Sequence, residues 1–141
     1  MGTGKAVIHK YILKIMKQDD FIFETKDYQG TTVYLSKNTW NIKAGADKLG
    51  SHPEIDAYIY DIKFTIETPD LVFQSQRDTR SRLFYSLNVG RGDFLGKHLV
   101  VVIKYIEEKI GLKGYVSTMY LSRSIYSKGV LLWSNKKLQI Q

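Results

Sequence analysis

From residue 71 onward, apolar and polar positions alternate with a period of two, whereas the stretch just before it carries helical spacing. Ile55, Tyr58, Ile59, Ile62 and Ile66 recur at intervals of three and four, which predicts one buried helix face over 53–67. Ser51 or His52 is placed to cap this helix. Pro53 takes its first position, where a missing N–H costs nothing, and Glu54 suits the positive end of the helix dipole. Thr68-Pro69-Asp70 ends it. A shorter helix is expected from Thr39 or Trp40 to about Lys48, broken at Leu49-Gly50-Ser51. Residues 20–26 alternate, Asp27-Tyr28-Gln29-Gly30 supplies turn chemistry, and 31–36 is rich in β-formers, so a hairpin is predicted there.

Beyond residue 70, strands are expected at 71–75, 82–89, 98–105, 115–121 and 129–133, joined by the short connections 90–96, 107–114 and 122–128. Such connections imply an antiparallel meander. The expected fold is α+β: one or two helices packed on a four- to five-stranded antiparallel sheet, preceded by an N-terminal β-hairpin. With 141 residues, no internal repeat and no linker-like stretch, the chain reads as a single domain over 1–141 with its core at 20–133. Residues 6–16, within an N-terminal element at 1–19, fit a helix or a strand equally.

Alternation sorts side chains onto two faces. Leu83, Tyr85 and Leu87 share one face of their strand, opposite Arg82, Phe84 and Ser86. Leu99, Val101 and Ile103 oppose His98, Val100, Val102 and Lys104; Val116, Thr118 and Tyr120 oppose Tyr115, Ser117, Met119 and Leu121. The more apolar face should meet the helix, leaving Arg82, Lys104, Thr118 and Tyr120 together on the other. A one-residue bulge would flip a set.

Charge sharpens this picture. The net charge is +7, but residues 1–70 hold nine lysines and ten acids, while 71–141 hold twelve lysines and arginines against four acids. All five arginines, Arg77, Arg80, Arg82, Arg91 and Arg123, lie in the second half. A guanidinium grips phosphate through two donors at once, so a polyanion, RNA above all, is the expected partner. With no cysteine, a disulfide framework, a cysteine–zinc site and a thiol nucleophile are excluded. No carboxylate or histidine cluster has metal-ligand spacing and no glycine-rich phosphate loop is present, so no metal or cofactor is expected. No apolar run nears the roughly 20 residues needed to span a bilayer, and the N-terminus lacks a signal-peptide pattern. No membrane partner is expected, and the reading is cytosolic.

The order of elements, with His52-Pro53-Glu54 opening a helix, then Thr68-Pro69-Asp70, Arg82-Leu83-Phe84-Tyr85, Leu99-Val100-Val101-Val102, Val116-Ser117-Thr118-Met119-Tyr120 and a final Lys128-Gly129, resembles the phage-associated nuclease-like domains of the barnase–EndoU–colicin–RelE group. The resemblance spans about 20–133. It implies a toxin-like, metal-independent ribonuclease in which the ribose 2′-hydroxyl attacks the adjacent phosphate, with a cognate inhibitor protein as a further partner. His52, Arg82, Thr118 and Tyr120 match its polar positions. It departs at Asp47, where related domains often carry a histidine.

Histidine suits proton transfer because its ordinary pKa lies near ~6.5. His52 is the candidate acid or base, ahead of His9 and His98. Arg82 would bind phosphate with Lys104 or Arg123, Thr118 and Tyr120 would position it, and Lys128 would approach the same site. Two other readings stand beside this one. Asp47 motivates a non-catalytic nucleic-acid-binding module. A phage or mobile-element protein-interaction factor would instead have a specific protein partner and no affinity for nucleic acid.

Overall fold

In the computed structural model, which describes residues 20–45, 51–126 and 128–135, Asp27 organises the first turn. Its carboxylate accepts the backbone N–H groups of Gln29 and Thr31, each at 2.9 Å, and Gly30 takes a φ of 87° that closes the turn. The expected hairpin follows, with β1 at Phe21–Lys26 and β2 at Thr32–Ser36. The Ser36 hydroxyl then accepts the Thr39 N–H at 3.0 Å and caps α1, Lys37–Ala44. This helix starts earlier than its apolar residues indicate, because the cap sets the start. It ends at Gly45; the expected extension to Lys48, the break at Leu49-Gly50 and Asp47 lie outside the described residues, as does the N-terminal element.

Pro53 opens a 3-10 turn, Pro53–Tyr58, that runs into α2, Ile59–Glu67. Ile55, Tyr58, Ile62 and Ile66 are buried and Ile59 packs beside them, as the helical spacing predicts. Thr68 caps the end, before Pro69.

The described residues form one seven-stranded mixed sheet in the order β1-β2-β6-β5-β4-β3-β7. β3 (Leu71–Gln74), β4 (Ser81–Ser86), β5 (His98–Glu108) and β6 (Gly111–Ser122) make the expected antiparallel meander. Two expectations are corrected. The hairpin is part of the same sheet, because β2 pairs in parallel with β6, Tyr34 opposite Tyr115. Val33, Tyr34 and Leu35 are buried in succession, as an interior strand covered on both faces requires. And β7 (Leu131–Ser134) pairs with β3 at the far edge rather than with β6, so the chain crosses the sheet to reach it.

The sheet curls around α2 far enough for Tyr28, in the β1–β2 turn, to meet Trp133 of β7 with ring centroids 5.1 Å apart. The concave core comprises Val33, Leu35, Ile55, Ile62, Ile66, Val72, Phe84, Leu99, Val101, Ile103 and Met119, all fully buried. Within it Thr65 donates to the Asp61 carbonyl at 2.6 Å, so the 2.7 Å contact between Thr65 and Ser86 has the Ser86 hydroxyl as donor. On the convex side, Leu83, Tyr85 and Val100 form a second cluster covered by Tyr126 from the β6–β7 connection.

Candidate functional site

The convex cluster decides where polar side chains can gather. Val100 lies opposite Tyr120 on one side and Tyr85 on the other, and Val102 lies opposite Thr118 and Leu83. Thr118, Tyr120 and Lys104 therefore share the convex face, as alternation predicts. Val116 does not join them. Val102 pairs with Thr118 and Ile103 with Val116, so Ser117 is the extra residue of a bulge that turns Val116 into the concave core.

Arg82 lies on the opposite face. It sits opposite Ile103 and shares its side of β4 with buried Phe84. Its guanidinium lies 4.7 Å from the centroid of the Tyr105 ring and donates to Gln29 Oε1 at 3.3 Å. Below it the Tyr105 hydroxyl donates to the buried Asp27 carboxylate at 2.6 Å, and burial followed by that bond pushes the phenol far above its ordinary value. The expected grouping of Arg82 with Thr118 and Tyr120 is thus corrected: Arg82 closes the end of the concave core. Both faces of β4 are buried, so apolar content did not distinguish them.

His52 and Tyr120 do come together, with ring centroids 5.8 Å apart. The backbone N–H of His52 donates to the Lys43 carbonyl at 2.6 Å, which fastens it beside α1. Its Nδ1 lies 3.5 Å from Glu54 Oε1. His52 occupies the cap position of the 3-10 turn but makes no side-chain capping bond. Burial raises the Tyr120 phenol above its ordinary value, and the Arg77 charge opposes that rise. Tyr120 therefore stands protonated at neutral pH, a hydrogen-bond donor.

On the side of Tyr120 that faces Arg77 and Tyr126 lies a cleft of about 530 Å³ between the β3–β4 turn and the β6–β7 connection, lined by Gln76, Arg77, Ser124, Ile125, Tyr126 and Lys128. Tyr126 holds its two walls together. Its hydroxyl accepts the Gln76 N–H at 3.1 Å, and its own N–H donates to the Tyr85 hydroxyl at 2.8 Å. Gly129 permits the close approach: a Cβ there would meet the Gln74 carbonyl oxygen at 2.1 Å. The cleft carries two cations and no carboxylate among its described lining residues.

The remaining candidates fall into place around it. Lys128 lines the cleft, and Arg123 is exposed where the connection leaves β6. Lys104 is paired, its Nζ 3.5 Å from Asp78 Oδ2. His98 is a structural acceptor, its Nδ1 taking the Asn88 N–H at 3.0 Å where Asn88 has a φ of 58°. Arg77 and Glu54 were not singled out as site residues by the sequence. Arg77 sits in a turn, where alternation gives no direction, and its membership in the basic half was its only signal. Among the described residues no group of three histidine, cysteine, aspartate or glutamate side chains converges to hold a metal, and no helix is long and apolar enough to cross a membrane. Comparison with protein-family models, curated proteins and solved structures gives no match.

Proposed function

We propose that the convex face binds single-stranded RNA. The observation that carries this reading is the contact of His52 with Tyr120 next to a cleft edged by Arg77 and Lys128. Aromatic faces stack unpaired bases and cations follow the phosphates, a combination that suits single strands. Arg123 and the +7 net charge extend the positive field around it.

The test is fluorescence anisotropy of a labelled single-stranded RNA over a range of salt concentrations, with DNA of the same sequence beside it. Affinity should fall steeply with salt. Replacing both Arg77 and Lys128 by alanine should make the logarithmic salt slope shallower by about 1.4. Tyr120→Ala should lose about 1–3 kcal/mol of binding. If all three substitutions leave the isotherms unchanged, the convex face is not the interface.

A second reading, cleavage of the bound RNA, is favoured by the same ring contact, with Arg77 in the phosphate-binding role first expected of Arg82. His52 takes the proton of a 2′-hydroxyl, the 2′-oxygen bonds to phosphorus, and the bond to the 5′-oxygen breaks as that oxygen takes the Tyr120 proton. Proton return from His52 to Tyr120 resets both groups. The products are a 2′,3′-cyclic phosphate and a 5′-hydroxyl, and no water is consumed. His52→Ala should then lower cleavage by about a hundredfold or more. Incubation with total RNA in EDTA and analysis of the ends tests it: intact RNA discards cleavage and leaves binding standing. In this toxin-like reading a cognate inhibitor protein would cover the cleft.

A further inference from the structure

His52 is held from both sides. Its N–H bonds to Lys43, and its carbonyl accepts the Ile55 N–H at 3.0 Å, with Ile55 fully buried. Pro53 fixes the link between His52 and Glu54, because its ring locks φ. The side chain of Glu54 is 24% exposed and that of His52 40%, so the carboxylate is the more enclosed of the two. The contact is an ion-pair distance rather than a hydrogen bond, and the negative carboxylate 3.5 Å away favours a proton on the nitrogen that faces it. In the neutral ring, a proton on Nδ1 leaves a lone pair on Nε2.

We infer that Glu54 is a positioning residue: it holds the neutral His52 ring as the Nδ1–H tautomer, with Nε2 as the proton acceptor of the site. This rests on the cleavage reading for its use, but not for its test. A free imidazole in water prefers the proton on Nε2, so the tautomer reports the carboxylate directly. A role for Glu54 confined to the helix dipole would leave the tautomer untouched.

The experiment is long-range proton–nitrogen NMR of the full chain, at a pH where the His52 ring is neutral, on wild type, Glu54→Gln and Glu54→Ala. The wild type should show mainly Nδ1–H. Glu54→Gln, whose amide oxygen still carries a partial negative charge, should keep it, and Glu54→Ala should revert to mainly Nε2–H. A wild type that is mainly Nε2–H, or a tautomer unchanged in Glu54→Ala, overturns the inference. In parallel, Glu54→Ala should lower RNA cleavage by about tenfold or more with RNA affinity unchanged, and Glu54→Gln should restore most of the loss. The predicted tautomers with no cleavage by the wild type would support Glu54 as the positioning residue and defeat the cleavage reading alone.

Discussion

On its concave side the sheet buries large apolar side chains against α2, and on its convex side the same strands bury a smaller set beneath the β6–β7 connection. The two sides treat cations differently. Arg82 is spent on the concave end, resting on Tyr105 and bonded to Gln29. Arg77 is exposed beside a cleft whose described lining holds no acid. A regular helix can fill a concave surface with close-packed side chains, whereas an irregular connection covers its surface only in part. Room for a ligand is therefore left on the side that α2 does not occupy.

The sharpest way to break this comparison is to cut side chains from each cluster. Phe84 is fully buried in the concave core, and Phe84→Ala should cost about 3–5 kcal/mol. Tyr126 is partly exposed in a connection able to resettle, and Tyr126→Ala should cost about 1–2 kcal/mol. Urea denaturation measures both, and equal losses would mean that the convex cluster is as much a core as the concave one. Next in size is Thr65→Val, which removes the acceptor of the buried Ser86 hydroxyl and should cost about 1–3 kcal/mol. Adding Ser86→Ala to it should recover part of that loss, since no unpaired donor then remains.

These clusters also mark how far the sequence could be read. The helix at 53–67 and the four-strand meander were legible, because burial on one side leaves a period that counting detects. The bulge at Ser117 was not, since one extra residue leaves composition unchanged while it turns Val116 inward. The placement of β7 was not either. A short connection argues for adjacency, but Tyr126 instead packs on Tyr85 and Phe73 and directs the connection across the sheet, a path set by contacts distant in sequence. At the candidate site, the resemblance grouped His52 with Tyr120, whereas alternation alone set Tyr120 on the face away from the helix that His52 opens. The error at Arg82 arose because β4 is buried on both faces, and the face carrying Phe84 is the one that meets α2.

A smaller effect separates the arginines. Arg82→Ala should leave RNA affinity unchanged and lose about 0.5–1 kcal/mol of stability with its ring contact. Arg77→Ala should do the reverse, with RNA binding about fivefold weaker and stability nearly unchanged. Anisotropy and urea denaturation on the two variants separate these outcomes. An RNA defect in Arg82→Ala that matches that of Arg77→Ala would place the ligand on the concave end and overturn the division of labour between the faces.

The smallest effect is electrostatic and compares two tyrosines, one on each face. Tyr105 is buried and donates to Asp27, whereas Tyr115 on the convex face donates to the exposed Glu108 at 3.1 Å to each oxygen. Burial first, and then the bond to Glu108, push the Tyr115 phenol up to about 12. A phenol whose folded pKa exceeds its unfolded value, near ~10, favours the fold only while protonated. Its contribution is complete below about pH 10 and disappears as pH rises through about 12. Tyr115→Phe should therefore lower stability at neutral pH slightly and flatten the alkaline decline across that window. Its ultraviolet titration should lack one late phenolate transition. Tyr105 should ionise only as the protein unfolds, because its partner is sealed in the hairpin turn. If Tyr115→Phe leaves the alkaline curve unchanged, the bond to Glu108 contributes nothing to the fold, and the Tyr115 ring serves this face only through its stacking on Tyr34.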